Sequence, residues 1–264
     1  MDASLASNQV SLASLPKGMS LGSVEAGTLE VSLDVKGKGT DWKVWQITGW
    51  VALTDGRVTA QDLDGPLSGV YLRLHLIRNG AEIKRLAFKI KDSDVSLSGS
   101  IRNWDKTPII SVKATSSHLD IDLLVPKGER SPIRDVLEDL AATSRLAATL
   151  DISRGLYKTL RFRDLSGQLT IQDGTVTIDN LRGETNGGTI DGHLKVRLPK
   201  LKPADVQASF RLADVPYEKV LQLTGDKQSL ITGSLSTTVV LQGNGRDPQG
   251  VLHSLNGKVD VLVK

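Results

Sequence analysis

Residues 165–183 of the chain read LSGQLTIQDGTVTIDNLRG, in which apolar and polar residues alternate on both sides of an Asp-Gly pair. Such alternation is typical of β-strands with one buried face. Asp-Gly accepts the positive φ angles of a tight type I′ turn. The stretch therefore predicts a β-hairpin with its turn at Asp173 and Gly174, in which Ile171 lies opposite Val176.

An earlier stretch repeats this pattern: residues 47–65 read ITGWVALTDGRVTAQDLDG. The two stretches align without a gap at an offset of 118 positions, which places three glycines of the first on three of the second: Gly49, Gly56 and Gly65 on Gly167, Gly174 and Gly183. This internal repeat predicts a second hairpin, with its turn at Asp55 and Gly56 and with Leu53 opposite Val58.

Period-two alternation also dominates the rest of the chain, for example in residues 29–35, 194–198 and 206–212, and turn residues separate the runs. Helical signals are few. The strongest is Ser131-Pro132 followed by apolar residues at helical spacing, which predicts a helix to about Ala142. Shorter helices are predicted at 216–223 and 247–255. The predicted fold class is all-β with a few short helices, built as a long antiparallel meander.

The repeat also suggests a domain organisation. Residues 1–125 are predicted to form a first β-repeat unit, residues 126–145 a linker with a helix, and residues 146–264 a second unit continuous with the first. Because the last residues stop within a strand pattern, we expect the chain to be a fragment of a longer protein. No run approaches the roughly 18 apolar residues that span a bilayer, so this piece is expected to be soluble.

Composition excludes several function classes. With 33 Lys and Arg against 30 Asp and Glu, the formal net charge of +3 is too small to indicate a nucleic-acid partner. The absence of Cys removes thiol catalysis, disulfides and thiolate metal sites, and leaves the redox compartment open.

No motif indicates catalysis, a metal or a cofactor. The four histidines lack the spacing of a zinc or nucleophile site. His118, Asp120 and Asp122 share a strand face, which is best interpreted as solvated rather than metal-binding. The glycine-rich residues 183–189 precede no helix, so they indicate a turn rather than a phosphate-binding loop. We therefore expect a protein that is not an enzyme.

Basic residues alternate with apolar ones in two segments: Arg161, Arg163, Lys195, Arg197, Lys200 and Lys202. This pattern predicts a solvated outer face that discourages edge aggregation. Attraction of anionic lipid headgroups is the alternative.

The order of short motifs along the second half resembles the C-terminal region of the AsmA-like family. These motifs are LSGQLTIQDG (165–174), DNLRG (179–183), GGTIDG (187–192), LADVP (212–216), ITGSL (231–235), LQGNGRDP (241–248) and LNGKV (255–259). Residues 101–104 and 118–124 resemble a preceding segment of the same proteins.

The resemblance implies a Gram-negative envelope protein, periplasmic and anchored in the inner membrane in its full length. It implies a taco-shaped β-groove with an apolar interior that bridges the inner and outer membranes for phospholipid transport. The implied partners are phospholipid acyl chains, the inner-membrane anchor of the longer protein and envelope proteins. The family supplies no catalytic residues and no cofactor.

Apolar positions in strand phase are the expected groove lining: Val51, Leu53, Val58, Leu169, Ile171, Val176, Ile178, Leu194, Val196, Leu198, Phe210, Leu212, Val239 and Leu241. Each buried CH₂ of an acyl chain would contribute roughly 0.8 kcal/mol, so such a site needs no polar motif. An ordinary dry core has the same alternation. The functional alternatives are a structural scaffold for outer-membrane protein biogenesis and, more remotely, an extracellular carbohydrate-binding or hydrolytic β-fold.

Overall fold

The computed structural model describes residues 2–12, 24–37, 45–59, 65–123, 139–157, 160–198, 203–216, 233–245 and 248–264. The chain forms two compact units. Unit 1 comprises Met1–Thr115 with Leu123–Pro126, and unit 2 comprises Ser116–Asp122 with Lys127–Lys264.

Unit 1 is an antiparallel meander in which each strand pairs with the next along the chain. Its strands are β1 (Asp2–Ser11), β2 (Val24–Lys36), β3 (Gln46–Val58), β4 (Leu67–Ile77), β5 (Gly80–Ile90), β6 (Ser93–Arg102) and β7 (Ile109–Ser116). The turns carry residues suited to tight reversal, such as Lys91 at φ 50° between β5 and β6.

Unit 2 has the same meander with short helical additions. Its strands are β8 (Leu119–Asp120), β9 (Arg145–Tyr157), β10 (Leu160–Gln172), β11 (Thr175–Thr185), β12 (Gly188–Arg197), β13 (Ala204–Pro216), β14 (Ser234–Gly245) and β15 (Asn256–Val263). Strands β9 to β15 pair antiparallel in chain order, and β8 pairs in parallel with β9. A 3₁₀ turn spans Ile121–Leu123, residues 139–143 form helix α1, and Pro248–Ser254 form helix α2.

These strands confirm the predicted all-β class with few helices. The helix predicted at 247–255 is present as α2. Of the helix predicted from Ser131 to about Ala142, the structure describes the end, where residues 139–143 are helical. The earlier residues of that prediction lie outside the described residues. The helix predicted at 216–223 lies outside them too, apart from Pro216, which ends β13. No helix in the described ranges is both long and apolar enough to cross a membrane.

The hairpin predicted at Asp173 and Gly174 is confirmed. Asp173 has φ 50° and Gly174 has φ 71°, as a type I′ turn requires. Ile171 pairs with Val176, as predicted. The hairpin predicted for the glycine-rich residues also forms, with Asn186 at φ 48° and Gly187 at φ 94° between β11 and β12.

The hairpin predicted at Asp55 and Gly56 is wrong. Strand β3 continues through this pair, and Val58 lies opposite Val24 on β2 and Leu67 on β4 rather than opposite Leu53. Only Asp55 has a positive φ, at 51°, so the pair forms a β-bulge. The physical reason is that two neighbouring strands extend far enough to pair with the residues after Gly56, so that continuing the ladder satisfies more backbone groups than turning.

Gly56 is required where this bulge brings the strands together. It is buried, and a Cβ there would lie 2.9 Å from a Leu53 methyl carbon and 3.0 Å from the Val70 Cβ. A Cβ on Gly27 of the neighbouring strand β2 would lie 2.9 Å from the Gly56 Cα. The repeated glycine therefore serves a turn in one copy and close packing in the other.

Similar bulges recur in other strands and were not anticipated from the sequence. The pairing register shifts at a polar residue with φ between 47° and 54° in strands β1, β3, β10, β11 and β13: Gln9, Asp55, Asp164, Asn180 and Asp214. The next residue then faces the same side as the apolar residues before the bulge. Val215, after Asp214, is only 2% exposed.

Replacing Gly174 with alanine is expected to lower the free energy of unfolding by about 1 kcal/mol, because alanine disfavours the left-handed conformation. A Cβ there would meet only the Leu198 carbonyl oxygen, at 3.6 Å, so the loss would come from φ and not from a clash. Urea unfolding followed by circular dichroism measures it. Asp173→Asn is the control and should change little, since Asn tolerates positive φ. An unchanged midpoint for Gly174→Ala would contradict the turn assignment.

Candidate functional site

One face of the unit 2 sheet, here called apolar face 2, is built from inward residues aligned across the strands. A row through its middle crosses β9 to β14 at direct cross-strand partners: Ala148, Leu169, Ile178, Leu194, Ala208 and Leu241. Strands lie about 4.8 Å apart, so the row is about 24 Å wide.

Further rows flank the middle one on both sides. Toward the Asp173 turn the row contains Leu146, Ile171, Val176, Val196 and Val206. On the other side Phe210 pairs with Val239, which pairs with Val259 of β15, and Leu212 follows on the next row. Aliphatic and aromatic pairs across strands stabilise the sheet and make this face continuous.

Helix α1 closes the end of apolar face 2 near the Asp173 turn. Ala141 is 3% exposed and packs with a buried cluster on the sheet: Ile171, Val176, Leu198 and Ala204. The Gly174 N–H donates to the Ala141 carbonyl at 3.0 Å, and the Leu198 N–H donates to the Gly174 carbonyl at 2.7 Å. The helix end is therefore tied to the turn, and this end of the face is a dry core.

Helix α2 covers the β14 side of the same end. A Cβ on Gly245 would lie 2.2 Å from the Val251 nitrogen, and one on Gly243 would lie 3.0 Å from the Ser254 Oγ. The Ser254 hydroxyl oxygen also accepts a hydrogen bond from the Asn244 N–H at 2.7 Å. Glycines on β14 thus let the helix lie directly on the strand.

Burial divides the predicted groove lining into two groups. Four residues are buried, as in an ordinary core: Leu53, Ile171, Val176 and Leu198. The other ten are half-buried: Val51, Val58, Leu169, Ile178, Leu194, Val196, Phe210, Leu212, Val239 and Leu241. The half-buried residues of unit 2 lie between the cluster around Ile171 and a second buried pair at the opposite strand ends, Val215 and Leu235, and they form the candidate site.

The three predicted residues of unit 1 also share one face of their sheet. Val51 lies between Val31 and Leu74 on the neighbouring strands, and Leu53 lies between Leu29 and Leu72. Here too one end is packed, in a cluster with three buried members: Leu12, Leu53 and Val70. Val58 packs against this cluster.

The opposite faces are polar and carry paired charges. In unit 1, Lys84 donates to a Glu82 carboxylate oxygen at 2.7 Å, and His75 Nδ1 lies 3.4 Å from the same oxygen. Both contacts lower the pKa of Glu82, and the contact with Lys84 has the larger effect. In unit 2, His193 Nδ1 lies 2.7 Å from an Asp179 oxygen. Trp50 is 38% exposed on the polar side of β3 and stacks on His75 with ring centroids 4.2 Å apart.

The described residues contain no cluster of side chains suited to a metal ion. No group of three or more His, Cys, Asp or Glu there is arranged to hold a metal. The predicted strand face of His118, Asp120 and Asp122 is wrong, because only Asp120 lies in a strand: His118 precedes β8 in a bend, and a 3₁₀ turn that contains Asp122 begins at Ile121. An Asp120 carboxylate oxygen accepts from the Asp122 N–H at 3.0 Å, which stabilises that turn.

Sequence reasoning missed several members of apolar face 2, although the signal for most was the same alternation. These are Leu146, Ala148, Leu181, Ile190, Val206 and Ala208. Strict alternation does not predict that Leu181 lies on this face, because two polar residues precede it. Asn180 forms the bulge that returns the strand to phase.

An aspartate at Ile171 is expected to cost several kcal/mol of unfolding free energy, because Ile171 is 1% exposed and the carboxylate would be buried without a partner. Val239→Asp, on a half-buried row, should cost only about 1 kcal/mol. Urea unfolding of both variants tests the division of the face. Equal losses would show that the whole face is a dry core.

The comparison with protein families gives one finding: the model of the AsmA family matches residues 98–264. Comparison with curated proteins and with solved structures gives no match. The matched residues include the whole of β9 to β15 and with them apolar face 2. Since the match spans more than half of the chain, the chain belongs to the AsmA family.

Proposed function

We propose that the half-buried part of apolar face 2 binds phospholipid acyl chains and that the protein takes part in lipid transport between the membranes of the cell envelope. The observation that carries this proposal is the combination of continuous apolar rows with incomplete burial. Membership of the AsmA family is consistent with a role in envelope lipid transport or assembly.

The chemistry of the face suits an acyl chain. Leu194, Phe210 and Val239 offer aliphatic and aromatic surface, and the charged residues of these strands face the opposite side. Each CH₂ removed from water contributes roughly 0.8 kcal/mol, so affinity grows with chain length and needs no polar contact. The middle row, about 24 Å wide, exceeds the roughly 15 Å that an acyl chain occupies in half of a bilayer core.

The packed end gives the site a boundary. The cluster around Ile171 is filled by α1, so a chain on this face would end at that cluster. Across the strands the face continues from β14 to Val259 and Val261 of β15, which are 56% and 58% exposed. Apolar surface of this extent on a sheet indicates a binding face more often than an incidental one.

The test is capture of a photoactivatable phosphatidylcholine that carries its diazirine in an acyl chain. Val239→Asp should abolish labelling of the purified protein, because the carboxylate would be desolvated by the bound chain. Val240→Asp is the matched control. Val240 is the next residue on β14, lies on the polar face and is 50% exposed, so labelling should persist.

Circular dichroism and the unfolding midpoint establish that both variants are folded. Undiminished labelling of folded Val239→Asp, or equal loss in both variants, would remove apolar face 2 as the lipid site. Mass spectrometry of the labelled peptides should place the adducts on β12 to β14.

A second candidate function is that of an assembly scaffold that binds another chain at its edge. Every residue of β15 is exposed, and among the described strands β15 pairs only with β14. An exposed apolar edge is suited to addition of a strand from a partner.

The two functions respond differently to substitution. Val261→Lys places a charge on the edge and would hinder strand addition, while lipid labelling at the Phe210 and Val239 rows should remain. In a strain whose growth depends on this protein, we expect Val239→Asp to fail in complementation and Val261→Lys to succeed. The reverse result would favour the scaffold.

A further inference from the structure

A cluster of three arginines lies on the polar face of unit 2, at the ends of β9 and β10. Arg154 and Arg163 are direct cross-strand partners, and Arg161 lies opposite Leu156. All three arginines are exposed. They line a shallow depression that His118 and Glu184 also border.

This arrangement places like charges against each other. Direct cross-strand neighbours of the same sign destabilise a sheet. Glu184 lies opposite Arg163 on β11, but within the described part of the chain no ion pair joins a carboxylate to any of the three guanidinium groups. Asp120 of β8 lies on the other side of Leu156 from Arg161, so the cluster holds three positive charges with two carboxylates nearby.

Two other arginines of the same face have one acidic partner across the strands, as Arg163 does, but no basic partner. Arg197 lies opposite Asp205, and Arg211 lies opposite Asp191. The direct pairing of Arg154 with Arg163 thus distinguishes the cluster from these two positions.

The backbone beneath the cluster is fixed by the Asn186 turn. The Arg161 carbonyl accepts hydrogen bonds from the Thr185 hydroxyl at 3.0 Å and from the Asn186 N–H at 3.2 Å. The Arg161 N–H donates to the Asn186 Oδ1 at 3.4 Å. The arginines are therefore presented from a defined strand end rather than from a loop.

Apolar and aromatic groups adjoin the charges at the same strand end. Leu156 lies across from Arg161 and lines the depression. Tyr157, the next and last residue of β9, faces the other side of the sheet at the same strand end and is 39% exposed. Arginines and an exposed tyrosine at one end of a sheet are typical of protein surfaces at the headgroup level of a membrane, where the ring is half in water. A free anion would need no such apolar rim.

We propose that this end of unit 2 docks onto an anionic phospholipid bilayer, with Arg154, Arg161 and Arg163 binding lipid phosphate groups and Tyr157 entering the headgroup layer. Guanidinium groups bind phosphate oxygens through paired, charge-assisted hydrogen bonds. The docking involves the end of the strands, with the arginines on the polar face and Tyr157 on the other side, and does not depend on acyl-chain binding by the rows of Leu194 and Val239.

The experiment is co-sedimentation of the full 264-residue chain with vesicles of phosphatidylglycerol and phosphatidylcholine, compared with vesicles of phosphatidylcholine alone. We expect binding only to the anionic vesicles. Replacing the three arginines with glutamine should weaken it on the order of a hundredfold, since each contributes a factor of about five near an anionic surface.

The matched control replaces Arg145, Arg197 and Arg211 with glutamine, which removes the same charge from the same unit. Its binding should fall by much less than that of the cluster variant. Equal losses would show that only net charge matters and would overturn the docking site. Circular dichroism verifies folding, and if the triple cluster variant is unfolded, Arg154→Gln and Arg163→Gln singly should each weaken binding about fivefold.

Two further outcomes would overturn the proposal. One is absence of binding by the folded wild-type chain to anionic vesicles. The other is displacement by inorganic phosphate at constant ionic strength, which would identify a site for free phosphate instead of a bilayer. Persistence of acyl-chain labelling in the cluster variant would separate this surface from apolar face 2.

Discussion

Cross-strand packing of apolar side chains on one face of each sheet is the interaction on which the rest of this structure depends. A strand keeps its apolar residues on one side only while the period of two is unbroken, and a slip of one residue moves all of them to the other side. The left-handed Asx residues Asp164, Asn180 and Asp214 correct such slips within the strands. These residues adopt an unfavourable backbone conformation, and the bulges that they form keep the apolar face continuous over many strands.

Burial at the ends of the strands gives that face two physical environments. In unit 2 the Asp173 turn, helix α1 and helix α2 lie at one end, and there Ile171 is almost completely buried. At the other end Val215 and Leu235 are buried as well, while Leu194 and Val239 between the two ends are only half-buried. Identical aliphatic side chains thus form a stabilising core at the ends of the face and partly accessible apolar surface between them.

The polar faces follow a different rule, because their side chains remain in water. Several of their charges lie beside opposite charges, and such exposed pairs contribute little to stability. Two direct arginine pairs depart from this arrangement: Arg73 with Arg85 in unit 1, whose guanidinium groups lie over the Trp50 and Tyr71 rings, and Arg154 with Arg163 in unit 2. Both faces belong to a member of the AsmA family, a family associated with the cell envelope.

Alternation alone determined the fold class, the outward and inward sides of the strands and the second Asp-Gly hairpin, since these depend on local conformation and side-chain period. Only the tertiary structure decided that Asp55 and Gly56 form a bulge, because that outcome depends on how far the neighbouring strands extend. It also decided that Ile171 is core while Val239 is accessible. The two residues have the same strand pattern, and a helix distant in sequence covers only one of them.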